Sequence, residues 1–136
     1  MIVFVLDSSA VLRFLDKEAG WHRIAAILQA KKDRTAEVTI SAIQFGEIAG
    51  IVRKKAGAHV QKRTLEDLSF FQLSVEPATG KRAVHAAEIK EDRKLPYADA
   101  FALDLAMDSP DHVLVTADYD FKNVADLARI EFLPSK

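Results

Sequence analysis

Short continuous apolar runs alternate along this chain with longer stretches in which apolar residues recur every three or four positions. The first pattern reads as strands covered on both faces and the second as amphipathic helices; their alternation predicts βα units around a parallel sheet. Strands are expected at Ile2 to Leu6, Val38 to Ile40, Leu73 to Val75, Val113 to Val115 and Ile130 to Leu133. Helices fill the gaps, at Ser9 to Asp16, Gly20 to Ala30, Ser41 to about Ala56, His59 to Phe71, Thr79 to Arg93 and Pro96 to about Met107. Ser41-Ala-Ile-Gln44 has the form of a capping box, Gly57 stands where a helix C-cap belongs, and Pro96 suits the opening of a helix. The expected fold is α/β, with a mainly parallel central sheet of four or five strands flanked by helices.

Composition sharpens this picture without changing it. At 136 residues the chain is the size of one domain, residues 1–136, with no repeat, linker or low-complexity stretch. Its 49% hydrophobic and 29% charged residues supply enough apolar material for a core and argue against disorder. Cysteine is absent, which removes disulfides, thiolate zinc sites and cysteine nucleophiles. The apolar start stops at Asp7, too short for a membrane span and without a basic segment before it, so a cytoplasmic protein is expected.

Placed on this frame, the acidic residues converge. Asp7 follows the first strand and Asp118 follows Val113-Leu-Val115, so both fall at carboxyl ends of strands, where ligands bind in open parallel sheets. An Asp in such a loop is also common as a turn or N-cap residue. Glu47 shares a helix row with Ile43 and Ile51, a carboxylate interrupting an apolar stripe, with no basic residue one turn away. A charge buried there needs a partner, and a metal ion is one; the alternative is a Glu at the stripe's edge reaching water. Asp99 lies in the first turn of the Pro96 helix, where the macrodipole favours a carboxylate whatever its function. It shares a face with Ala102, Leu103 and Ala106, whereas Asp104 and Asp108 fall on the flank and read as solvated.

Oxygen-only clusters suit the hard cations Mg²⁺ and Mn²⁺, and phosphoryl transfer at a phosphodiester is the chemistry such sites commonly serve. The net charge of −1 is uninformative by itself, but neutralising the four carboxylates leaves +3, mildly suited to a polyanion. His22, His59, His85 and His112 are scattered outside the acidic positions, and no Ser-His-Asp triad, Walker loop or GxGxxG run is present.

Four segments carry a resemblance. Val5-Leu-Asp7-Ser-Ser9-Ala-Val-Leu12, Thr39-Ile-Ser-Ala-Ile-Gln-Phe-Gly-Glu47, Leu95-Pro-Tyr-Ala-Asp99-Ala-Phe and Thr116-Ala-Asp118-Tyr-Asp120-Phe121 stand in the order and at the spacing of the motifs of PIN-domain ribonucleases. The chain resembles in particular the VapC toxins of prokaryotic toxin–antitoxin pairs, from residue 2 to about residue 133. The resemblance implies a PIN-like three-layer sandwich and an Mg²⁺-dependent endoribonuclease. Asp7, Glu47 and Asp99 would be the main metal ligands, with Asp118 completing the set directly or through water. Ser9 and Thr116 would assist by hydrogen bonding, and Asp120 would orient its loop. Cleavage would be in-line and leave a 5′ phosphate.

It implies partners as well: an RNA substrate, a cognate antitoxin whose C-terminal segment lies in a groove and blocks the metal site, and a homodimer. Arg13, Lys17, Arg53, Lys54 and Lys55 are candidates for gripping the RNA backbone, against the plainer reading of solvated helix ends. Phe14, Trp21 and Phe45 are candidates for the antitoxin groove. Two other classes fit parts of the pattern. One is a receiver-like phosphate-signalling domain, which also has Asp at strand ends; the other is a catalytically silent PIN-like module that binds RNA or protein.

Overall fold

Strand β1 (Val3–Leu6) lies at the centre of the molecule because its side chains find apolar partners on both faces. Phe4 and Leu6 point one way and Val5 the other, as the two-residue period of a strand requires. The computed structural model describes residues 1–136 as five parallel strands and five helices. In chain order these are β1, α1 (Ser8–Leu15), α2 (Trp21–Lys32), β2 (Glu37–Ser41), α3 (Ala42–Phe70), β3 (Ser74–Glu76), α4 (Gly80–Arg93), α5 (Tyr97–Ala106), β4 (His112–Thr116) and β5 (Arg129–Phe132), with a 3₁₀ turn at Tyr119–Val124 before β5.

The sheet runs β3-β2-β1-β4-β5, every pairing parallel. Val5 stands opposite Thr39 on one side and Leu114 on the other. Each expected strand is present, and the sheet is parallel throughout. The order differs from the 2-1-3-4-5 of receiver domains, which removes that reading. From β1 the chain winds outward through β2 and β3, then returns to lay β4 on the opposite side of β1. The carboxyl ends of β1 and β4 therefore flank the switch point of the sheet, where a crevice opens between diverging connections.

Two apolar layers hold the sandwich together. On one face Phe4, Leu6, Val38, Ile40, Val113 and Val115 pack against Val11 of α1, Ile24 and Ile27 of α2, and Ile48 and Leu68 of α3. On the other, Val5 and Leu114 pack against Ile89 of α4, the length of α5, and Phe121 and Val124. Fully burying one Leu or Phe side chain stabilises by roughly 1.5–3 kcal/mol, so Leu6, Leu114 and Phe121, all at most 1% exposed, anchor the frame that carries the site.

One local expectation holds and two change. Gly57, at φ 88° and ψ 175°, ends a helical stretch as expected, and a second helical stretch follows it, so α3 is two helices meeting at a kink. The capping box is half formed: Ser41 Oγ accepts from the Ile43 amide at 3.1 Å, while the Gln44 side chain is used elsewhere. Asp104 is buried rather than solvated, because α4 packs along that flank of α5 and closes it off. Its carboxylate is met there by Arg82 Nη1 at 2.8 Å and His85 Nδ1 at 2.6 Å. Asp108, one turn on, is exposed and bonded to the same arginine at 2.7 Å.

Candidate active site

Asp7 ends the β1 connection and caps α1, so its position is fixed by secondary structure before any chemistry is considered. Its Oδ1 accepts from the Ala10 amide at 2.9 Å and from Ser9 Oγ at 2.7 Å; its Oδ2 accepts from Thr116 Oγ1 at 2.5 Å. Thr116 ends β4, so this last bond ties the two strand ends at the switch point together. The stitching continues: the Ala117 amide donates to Ser9 Oγ at 2.9 Å and the Asp118 amide to Thr116 Oγ1 at 2.9 Å. Asp118 in turn caps the 3₁₀ turn, its Oδ1 accepting from the Asp120 amide at 2.9 Å. Both strand-end aspartates are thus caps, each with one oxygen committed to capping. Asp120 is exposed and serves the turn through its backbone.

The third wall comes from α3 and α5. Gln44 is fully buried, its Oε1 accepting from the Ser8 amide and its Nε2 donating to the Ala98 carbonyl, both at 2.6 Å. One amide therefore joins the starts of α1, α3 and α5, and sets Asp99, the third residue of α5, beside the two aspartates. In the sequence Gln44 stands out only as a capping partner. Its recognisable signal was a polar residue on the Gln44–Ile48 row, which is the face α3 buries. The row Ile43–Glu47–Ile51 is turned half outward: Glu47 is exposed and accepts from Ser8 Oγ at 3.2 Å. Contrary to expectation Glu47 is not a buried charge; Asp7 and Asp99 are the carboxylates that burial affects.

The electrostatics follow from this placement. Burial pushes the Asp7 carboxyl up to about 6, against the hydrogen bonds from Thr116, Ala10 and Ser9 that favour its charged form, with the charge of Asp118 adding to the rise. Asp99 is raised to about 7, first by burial and then by the charges of Asp118, Asp7 and Glu47, with the Gln44 amide working the other way. None of the four carboxylates takes part in any of the molecule's ion pairs. A cluster of negative charge without a protein counter-ion is the defining feature of this crevice. Even so, no three His, Asp or Glu side chains converge as ligands for one ion.

The basic candidates separate. Arg13 is buried, with Nη1 donating to the carbonyls of Ala19 at 2.6 Å and Pro134 at 2.8 Å, a structural clamp and not a surface charge. Arg53 is exposed and bonded to Gln61 at 3.0 Å, and Lys17 lies over the Trp21 ring at 5.7 Å. Lys54 and Lys55 are exposed. Phe14 and Trp21 line an apolar surface pocket of about 450 Å³ with Leu15, Leu68, Phe70 and Phe71, whereas Phe45 packs against the core away from it.

A wholly parallel, doubly covered sheet with carboxylates gathered at its switch point defines an α/β protein whose ligand crevice is acidic. The chain belongs to the PIN domain family, whose model matches residues 4–127. Among solved structures it is similar to VapBC2 from Rickettsia felis bound to a DNA fragment from the promoter, at 16% identity over 98% of this chain and 100% of that one, TM-score 0.73. It is also similar to VapC20 of Mycobacterium tuberculosis, a sarcin-ricin loop cleaving toxin, at 19% identity over 96% and 99% of the two chains, TM-score 0.71. A toxin–antitoxin complex from Klebsiella pneumoniae matches at 20% identity over the whole of both chains, TM-score 0.70. At these identities the likeness is one of fold. Comparison with curated protein sequences finds no match. No helix is long and apolar enough to cross a membrane.

Proposed function

We propose that the chain is a metal-dependent endoribonuclease, the toxin of a type II toxin–antitoxin pair, acting in the cytoplasm as a homodimer held in check by a cognate antitoxin. The observation that carries the catalytic part is the uncompensated acidic crevice: Asp7 and Asp99 are raised to about 6 and 7 with no Lys or Arg paired to them. Such a site is built for a cation. Mg²⁺, with Mn²⁺ as the alternative, fits the all-oxygen donor set, and because Mg²⁺ keeps several waters and needs only one or two direct carboxylates, a preformed cage of three is not required.

Asp7 and Asp99 would hold the ion, with Asp118 and Glu47 reaching it directly or through water. When bound, the ion would supply a water of lowered pKa and would neutralise charge on the phosphodiester. Ser9 and Thr116 keep the Asp7 carboxylate in one orientation. Gln44 fixes the start of α5 and with it the height of Asp99 above the sheet. Asp99, raised to about 7, would have to be deprotonated to hold a cation, so loading would be favoured as pH rises through 7.

The antitoxin and the toxin role rest on the similar complexes, two of them VapBC proteins bound to DNA and one a toxin–antitoxin complex. Incubating the purified protein with total RNA, with Mg²⁺, Mn²⁺ or chelator, and sequencing the new 5′ ends tests the activity. Cation-dependent ends that vanish in Asp7→Asn are expected; identical RNA in all lanes overturns the assignment. A catalytically silent binding module is the second reading, favoured by the absence of three converging ligands, and RNA binding without cleavage in the same assay is its signature.

A further inference from the structure

A second concavity, of about 540 Å³, opens directly beside the carboxylates, with Ser9 and Asp118 in its wall. Ser135 and Lys136 also line it, and the segment that carries them, Leu133 to Lys136, is held down at three points. Arg13 donates to the Pro134 carbonyl at 2.8 Å, Tyr119 Oη donates to the Leu133 carbonyl at 2.8 Å, and Gly20, at φ 88°, lets Leu133 and Pro134 approach so closely that a Cβ there would lie 3.0 Å from Leu133. A buried arginine spent on fixing this segment marks it as a wall and not a loose end.

The lining mixes acids, Asp16, Glu18 and Asp118, with Lys55, Lys136 and one aromatic residue, Tyr119. Lys55, projecting from α3, is exposed and free of any ion pair, whereas Lys136 is taken up by Glu18 at 2.7 Å. Tyr119 is 40% exposed, and its ring is immobilised by the hydroxyl bond and by edge-on packing against Phe132 at 5.6 Å. The Lys122 ammonium lies over that ring at 4.9 Å, outside the groove's lining, so the aromatic and the positive charge that face the groove are Tyr119 and Lys55, the pairing with which proteins hold unpaired nucleotides. Asp16 opposes a polyanion, but it lies toward the far end of α1 from Asp7.

We propose that this groove is the subsite for the nucleotide flanking the scissile phosphate of a single-stranded RNA, Lys55 gripping the adjoining phosphate and Tyr119 stacking on the base. The proposal rests on the ribonuclease reading above, and Arg13 enters it as a positioning residue that keeps the C-terminal wall in place.

The test uses the full chain. Anisotropy of a labelled single-stranded RNA oligonucleotide is followed with Asp7→Asn protein over a range of salt, alone and combined with Lys55→Ala, Tyr119→Leu or Tyr119→Phe. Lys55→Ala should flatten the slope of log K against log salt by about 0.7, the loss of one phosphate contact on a single strand. Tyr119→Leu should weaken binding by roughly 5- to 150-fold, while Tyr119→Phe, which keeps the ring, stays close to the unaltered protein. With Asp7 restored, Lys55→Ala and Tyr119→Leu should raise KM and leave kcat in place. Lys55 is exposed, so its variant reads the groove even if Tyr119→Leu impairs folding. If the unaltered protein cleaves RNA and both substitutions leave salt slope, affinity and KM unchanged, the groove assignment is overturned and cleavage stands. Absence of cation-dependent cleavage in the unaltered protein overturns the parent reading instead.

Discussion

Replacing Asp99 by Asn should make the cation-free protein more stable. The folded carboxyl titrates at about 7 against 3.8 for the free group, so across that window the folded chain binds a proton that the unfolded chain has released. A raised carboxyl therefore favours the folded state at low pH, and the advantage is lost as pH rises through 7. Taken whole, the shift corresponds to about 4 kcal/mol at about pH 8. Asp99 keeps part of its surface in water, and screening cuts this to about 2 kcal/mol. Asn also forfeits the favourable charge in the first turn of α5, about 0.3–1 kcal/mol, leaving a net gain of about 1–2 kcal/mol. In a domain of this size 1 kcal/mol moves Tm by about 3–4 °C, so a rise of about 3–8 °C is expected.

The same reasoning treats Asp7 differently. Its shift to about 6 corresponds to about 3 kcal/mol at about pH 8. Asn at this position still caps α1 but removes one of the acceptors used by Ala10, Ser9 and Thr116, at a cost of about 1–3 kcal/mol, so Asp7→Asn should come out near neutral. Thermal melts at about pH 5, 6.5 and 8, with chelator and with Mg²⁺, measure both. The unaltered protein should lose stability with rising pH in chelator and regain it with Mg²⁺, and Asp99→Asn should show a flatter pH profile and a smaller Mg²⁺ gain. A Tm for Asp99→Asn at or below that of the unaltered protein at the highest pH, with an undiminished Mg²⁺ response, would refute the claim that these carboxylates share one site.

Growth offers a separate check: expression without its partner should arrest bacteria, and soluble, folded Glu47→Gln should relieve the arrest, as counted by colony formation. Gln44→Leu leaves the Ser8 amide and Ala98 carbonyl without their bonds and should lower stability by about 2–4 kcal/mol in denaturant titration, with weakened Mg²⁺ binding in calorimetry. Asp104→Asn strips a buried partner from Arg82 and His85 and should cost about 1–3 kcal/mol while leaving kcat of the folded protein intact. A fall in kcat to match would tie that cluster to catalysis.

Elements announced by periodicity were legible in the sequence, and so were the positions they dictate. Asp7 and Asp118 could be placed because each follows a strand that β-branched and apolar residues identify unaided. What could not be read was which helix face turns inward once a neighbour docks. The Glu47 row looked buried because Ile43 and Ile51 share it, yet α3 turns Gln44 and Ile48 to the core. Asp104 looked solvated because nothing in α5 says that α4 will lie across that flank and bring Arg82 and His85 with it. Arg13 looked like a surface charge for want of any local sign that the chain's end returns to it. Each miss is a long-range contact, invisible to patterns that span one or two turns.

The plain and the functional readings of a strand-end aspartate turn out not to compete. Asp7 and Asp118 are N-caps, and capping is what makes them useful: an oxygen bonded to the first turn of a helix cannot swing away, so the carboxylate is held at the switch point without help from a ligand. The cost of crowding Asp7, Asp99, Asp118 and Glu47 then falls on the folded state as raised proton affinity rather than as disorder, because Gln44, Ser9 and Thr116 fix the frame from three elements. On the proposed reading, a cation binding this frame would meet carboxylates already positioned and would displace protons held against their ordinary pKa. Its affinity, its pH dependence and the stability of the cation-free protein would then be one quantity seen three ways, and a substitution that changes one of them alone would have acted outside the site.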